Sequence, residues 1–144
     1  MREAIRLAEE AAAEGEVPVG AVVVLDGEIV GRGRNRRETA KNALSHAEIE
    51  AIHDACSRLH GWRLHKCDLY VTLEPCPMCA GACWSARLKR VYYGAADPKA
   101  GAYGSVFDLN GFPLNHHPEI VPGVLEEECA ALLRDFFARL RIKK

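Results

Sequence analysis

Residues 68–94, DLYVTLEPCPMCAGACWSARLKRVYYG, decide how this chain folds. Asp68 to Leu73 is a short run of apolar, β-branched and aromatic residues bounded by polar ones, which predicts a strand. Lys89 to Gly94 predicts another. Between them, Cys76 to about Ala86 predicts a helix. Pro75 and Pro77 fit its start, because proline is tolerated in the first helical turn. Upstream, Val19 to Leu25 is a β-branched run that reads as a buried strand. Asp26-Gly27 is a tight-turn signal, and Glu28 to Gly33 returns as a second strand. A hairpin followed by strand-helix-strand units predicts an α/β domain of three layers, a central mixed sheet with helices on both faces.

The remaining segments fit this frame. Residues 2 to about 14 place Ile5, Ala8 and Ala12 on one helical face, and Gly15 and Pro18 end that helix. Arg34 to Leu44 reads as a polar loop, and Ser45 starts a helix running to about Leu59. Gly61 to Lys66 is a connector. Asp97 to Pro118 is a long loop rich in Gly, Pro and Asn, of a length that is usually functional or mobile. Glu119 to Val121 is a short edge strand, and Val124 to about Leu140 a closing helix. There is no internal repeat and no linker, so residues 1–144 are expected to form a single domain.

Composition excludes some classes. Apolar content is 49% and charged content 27%, ordinary for a soluble globular protein. No apolar run approaches the roughly 20 residues of a membrane helix. Met1-Arg2-Glu3 leads straight into a charged helical pattern rather than a signal peptide, so a cytoplasmic protein with no membrane partner is expected. Six cysteines without a secretion signal point to metal binding rather than disulfides. Cys56, Cys67 and Cys129 stand among apolar neighbours and read as small buried hydrophobes. Net charge is −1, but it hides basic patches. Arg32, Arg34, Arg36, Arg37 and Lys41 cluster in one stretch, Arg87, Lys89, Arg90 and Lys99 in another, and Arg134, Arg139, Arg141, Lys143 and Lys144 at the end. Such patches are the footprint of phosphate binding. Arg32, Arg34, Arg36, Arg37, Arg87 and Arg139 are the expected phosphate contacts. The competing reading of the tail is complementation of a helix dipole.

The chemistry lies in two short motifs, His46-Ala47-Glu48 and Pro75-Cys76-Pro77-Met78-Cys79. Cys76 and Cys79, three apart at a helix start, share a face. The helix N-terminus favours their thiolate forms. With His46 they make three zinc ligands and leave a fourth tetrahedral position for water, the arrangement of a catalytic site. Glu48 then stands where a proton carrier is needed. Two plainer readings compete. Cys-x-x-Cys at a helix start also suits a redox pair, which leaves His46 and Glu48 without a role. Ser45-x-x-Glu48 is also a capping box, in which Glu48 only caps its helix. Cys83 lies one turn beyond Cys79, about 6 Å further along the axis, too far for a zinc–sulfur bond of about 2.3 Å, and is read as packing.

His-x-Glu with Pro-Cys-x-x-Cys is the established signature of zinc deaminases that act on nucleobases. The chain as a whole resembles the bacterial tRNA adenosine deaminases of the TadA type, within the cytidine deaminase-like superfamily. Glu16-Val17-Pro18-Val19-Gly20-Ala21-Val22 is similar to that family's first strand. His46-Ala47-Glu48-Ile49 and Leu73 to Ala82 resemble its two catalytic segments, and Gly101 to Ser105, Asn115-His116-His117 and Glu128 to Phe137 its C-terminal half. The resemblance implies an α/β/α deaminase fold and a homodimer. It implies conversion of adenosine to inosine at the wobble position of a tRNA, with the anticodon loop as partner. It implies one Zn2+ per subunit on His46, Cys76 and Cys79, no organic cofactor, and Glu48 as catalytic proton shuttle. Asn35, Ala47 and Pro75 would bind the nucleoside, and Phe136 and Phe137 would lie near the anticodon loop. Cys83-Trp84-Ser85 departs from the family pattern, and Trp84 is reminiscent of guanine deaminases. The alternative is therefore a free-base deaminase, such as a guanine deaminase, on the same metal site. A zinc-stabilised binding module without turnover would need Cys83 as a fourth ligand. Val17 to Leu25 and the stretch after Cys79 are the expected dimer contacts.

Overall fold

In the computed structural model, which describes residues 1–143, the expected hairpin is built from β1 (Gly20–Leu25) and β2 (Glu28–Arg34). Asp26 and Gly27 both take positive φ, 51° and 78°. That is the two-residue turn whose twist matches the flanking strands. The pair is antiparallel, with a register shift between Val23 and Val24.

β1 also pairs antiparallel with β3 (Asp68–Leu73), which runs parallel to β4 (Arg90–Ala95). β5 (Glu119–Val121) adds parallel to the far side of β4. The order β2-β1-β3-β4-β5 makes the mixed sheet expected from sequence. β1 is bonded on both sides, so the 17–25 stretch offers no free edge for a dimer contact; Val19, Ala21, Val22 and Val23 are core.

Glycines let the helices lie close to the sheet. A Cβ on Gly20 would fall 1.9 Å from the carbonyl oxygen of Ala4, in α1 (Arg2–Ala13). One on Gly94 would meet Cys129 of α4 (Glu126–Ile142). Gly31 and Gly33 face α2 (Ala47–Leu59) instead, and a Cβ on Gly33 would lie 2.2 Å from the carbonyl oxygen of Ala47. α1 and α4 thus cover one face. α2 covers the other together with α3 (Pro77–Ser85), whose Ala80 and Cys83 enter the same core as Ala47, Ala51 and Ala55. Because Gly33 sets the seat of the first turn of α2, Gly33→Ala is expected to lower stability by about 2 kcal/mol, the usual scale of overpacking. A urea midpoint equal to that of the parent would contradict this.

The starts of α2 and α4 each fall two residues later than expected. α2 starts at Ala47, not Ser45: the Ser45 N–H is bonded to the Asn42 carbonyl and its own carbonyl accepts the Arg36 N–H, so Ser45 belongs to the preceding loop. α4 starts at Glu126, after Leu125 takes a left-handed φ of 51°. The 97–118 loop is organised by hydrogen bonds to Glu74 and by a single 3-10 turn at Leu109–Gly111. Among the described residues no helix is long and apolar enough to cross a membrane.

Candidate functional site

His46 and Cys76 occupy equivalent places. Each is the N-cap of a helix, extended in backbone, with α2 and α3 opening from them. No side chain caps α2, so the Ser45–Glu48 capping box is not formed. The two N-termini bring three side chains together: His46 Nδ1 lies 3.6 Å from Cys76 Sγ and 3.5 Å from Cys79 Sγ. Ligands bonded at about 2.05 Å (nitrogen) and 2.3 Å (sulfur) to one tetrahedral ion stand about 3.6 Å apart. The donor set therefore fits a zinc-like cation. Among the described residues, His46, Cys76 and Cys79 are the group of acid, thiol and imidazole side chains close enough to share one. Cys83 is buried outside that group. No disulfide occurs among the described residues; Cys67 and Cys129 are buried in the core, and Cys56 is partly buried against it.

The electrostatics agree. The hydrogen bond from the Cys79 thiol pulls Cys76 down to about 4, against its burial, with a further contribution from His46. The same bond, and burial, push Cys79 far up. The pair thus holds a thiolate beside a thiol, and a cation would displace the remaining proton. Contact with Cys76 raises the His46 pKa, against burial. Glu48, in the first turn of α2, is 4% exposed. Burial lifts its pKa to about 7, and the charge on Cys76 adds to that while His46 opposes it. A carboxyl near neutrality can both accept and release a proton at working pH.

His46, Glu48 and Cys76 line a cavity of about 240 Å³, with Cys79 buried behind them. Val17, Val19 and Leu73 are its apolar walls; Asn35, Arg37, Ala47, Glu74, Asp97 and Ala100 complete it. Asn35 is held at both ends: its amide NH2 donates to the Val17 carbonyl at 3.1 Å, and its carbonyl oxygen accepts the Arg37 N–H at 3.2 Å. One amide hydrogen and one lone pair are left over. Pro75, expected to line this cavity, is instead fully buried, with its carbonyl accepting the Ala102 N–H.

The other expected contacts disperse. Arg37 is at the cavity. Arg32 is bonded to Glu3, and Arg34 to Glu14, because the outer face of β2 lies beside the acidic side of α1. Arg36 stands 3.8 Å from Glu50. Arg87 donates to the Trp84 carbonyl and lies over the Trp84 ring. Trp84 donates to the Asn115 side chain and does not line the cavity. Phe136 and Arg139 line a separate groove between α1 and α4, and Phe137 is 39% exposed, edge-on to Phe136. Neither phenylalanine reaches the first cavity.

Sequence reading missed three acids. Glu16 is buried and accepts the N–H groups of Glu38 and Thr39. Glu74 is buried and accepts from Asp97, Tyr103 and Ser105. Asp97 lines the cavity and turns its side chain onto the amides of Lys99 and Ala100. The available signal was a lone carboxylate against an apolar strand, as in Glu16-Val17-Pro18-Val19 and Leu73-Glu74-Pro75.

Residues 1–141 match the family of MafB19-like deaminases. Over its whole length the chain is 51% identical to a tRNA-specific adenosine deaminase of Bacillus subtilis, covering 90% of that protein. Its fold superposes with a TM-score of 0.90, at 46% identity, on a structure from studies of A-to-I editing by tRNA:A34 deaminases at the wobble position of transfer RNA; 92% of this chain and 97% of that one are covered. A guanine deaminase from Nitrosomonas europaea superposes at 0.80 with 26% identity, over 95% of this chain and 82% of that one.

Proposed function

The chain belongs to the MafB19-like deaminase family and is a deaminase, and from that premise we propose that it converts adenosine to inosine at the wobble position of a tRNA, using one zinc ion held by His46, Cys76 and Cys79. The observation that carries this reading is the spacing of those three side chains beside a cavity lined by His46, Cys76 and the buried Glu48. The higher identity to adenosine deaminases than to guanine deaminase, and the position of Trp84 away from the cavity, favour adenosine over a free base.

The reaction adds water to C6 of adenine and releases ammonia. Held by His46, Cys76 and Cys79, a zinc ion would supply Lewis acidity that brings the pKa of water from roughly 15.7 to about 7. Glu48 takes a proton from the attacking water and gives it to the ring nitrogen, then takes the proton of the hydroxyl so formed on C6 and gives it to the departing amino group, which leaves as ammonia. Asn35 offers the nucleoside its spare N–H and lone pair, and Val17, Val19 and Ala47 enclose the base. The base must leave its stack to enter, which a single-stranded anticodon loop allows at low cost. We read residues 1–144 as one deaminase domain, cytoplasmic like the tRNA it acts on. It is a homodimer in this reading, and the outward residues of α3, among them Gly81, Ala82 and Ser85, are the contact.

Incubating the zinc-loaded protein with an anticodon stem-loop, free adenosine, guanine and cytosine tests the substrate. Inosine in the stem-loop alone is expected; turnover of guanine and none of the stem-loop contradicts the proposal. Arg37 stands at the cavity outside any ion pair among the described residues, whereas Arg34 is paired with Glu14. Arg37→Ala is expected to reduce the slope of log affinity against log salt by about one, and Arg34→Ala to leave it near that of the parent. Equal slopes for both variants would remove Arg37 as a phosphate contact.

A further inference from the structure

One carboxylate ties the metal-bearing turn to another wall of the cavity. Glu74, the residue before Pro75-Cys76, is 1% exposed. Its Oε1 accepts the Asp97 amide at 3.0 Å and the Ser105 hydroxyl; its Oε2 accepts the amides of Tyr103 at 3.0 Å and Ser105 at 3.1 Å. Backbone bonds hold the same turn: the Glu74 N–H donates to the Ala95 carbonyl at the end of β4, and the Ala102 N–H donates to the Pro75 carbonyl. Gly101 packs so closely that a Cβ there would sit 2.3 Å from the Glu74 carboxyl carbon. Asp97 and Ala100, from the segment so held, line the cavity with Glu74 and Cys76.

Four accepted bonds use the full capacity of an ionised carboxylate. Their donors all come from one segment, 97–105. We propose that Glu74 is the positioning residue of this site: it fixes the 97–105 segment at a set distance from Cys76 and thereby sets the width of the slot the base enters. What the slot receives rests on the deaminase reading; the anchoring does not. Glutamine keeps the length of the side chain but presents an NH2 group in place of one oxygen. Whichever oxygen is replaced, at least one backbone N–H then faces another donor.

The test compares the parent, Glu74→Gln and Ser105→Ala, each loaded with zinc. Amide hydrogen exchange is followed by mass spectrometry, and KM and kcat are measured on the anticodon stem-loop. Glu74→Gln is expected to speed exchange in 97–105 about tenfold, the scale of one buried hydrogen bond lost, with β1 and the zinc content unchanged. KM is expected to rise about tenfold, with a smaller change in kcat. Ser105→Ala removes one bond of four and is expected to shift both readings in the same direction by less; it carries the test if Glu74→Gln does not fold. Unchanged exchange in 97–105, or faster exchange throughout the chain with an unchanged KM, overturns the proposal. If the parent itself does not turn over the stem-loop, the substrate reading fails, and local exchange alone decides whether Glu74 anchors the wall.

Discussion

Glu48→Ala is expected to keep the fold and a full complement of zinc while turnover falls by at least about 10²- to 10⁴-fold, the contribution of a positioned acid–base group. The geometry separates these effects. Glu48 lies in the first turn of α2, beside the ligand cluster but outside it. Its buried carboxyl has a pKa raised to about 7, chiefly by burial, which suits repeated uptake and release of a proton. Losing it removes no ligand, and alanine at a buried site vacated by a carboxyl leaves no unpaired charge. Zinc content by elemental analysis and single-turnover rates on the stem-loop check the two halves. A near-parental rate would remove Glu48 from the chemistry, and a loss of zinc would make it part of the metal site.

Cys76→Ala is expected to do the reverse at the metal, losing the ion first and activity as a consequence. Two ligands no longer close a site, and His46 and Cys79 are left facing a gap where a thiolate stood. Because an ion that binds only the folded state stabilises it by mass action, the parent should gain about 4 kcal/mol when free zinc exceeds the dissociation constant about 1,000-fold. The variant should gain little. Thermal melting with and without added zinc reads this directly: the parent midpoint moves with zinc and the variant's does not. Full zinc occupancy in Cys76→Ala would contradict the ligand set.

How much of this was legible in the sequence depended on the range of the interactions. The β1–β2 hairpin is written in adjacent residues, through the Asp26-Gly27 turn, and the β3–α3–β4 unit in a short apolar, proline-marked stretch; both were predictable. The meeting of His46 with Cys76 and Cys79 followed from chemistry, since a histidine and two cysteines with this spacing have few other uses. Glu16 and Glu74 stood out only as lone carboxylates against apolar strands and not as anchors, because all but one of their partners are backbone N–H groups more than 20 residues away, which carry no side-chain signature. Arg32 and Arg34 read as a free basic patch because their acidic partners, Glu3 on α1 and Glu14 at its C-cap, are distant in sequence. Ser45 showed a capping pattern, but its backbone was already committed to the 36–45 loop.

In the proposed function this site acts on one adenosine, at the wobble position, inside a folded tRNA. The most direct measurement is to incubate a whole tRNA bearing adenosine at that position with the zinc-loaded protein and to map inosine along it by nuclease digestion and mass spectrometry. Inosine is expected at the wobble position, with every other adenosine intact and no product from Glu48→Ala. Inosine scattered over other adenosines, or none at the wobble position under zinc-replete conditions, would contradict it.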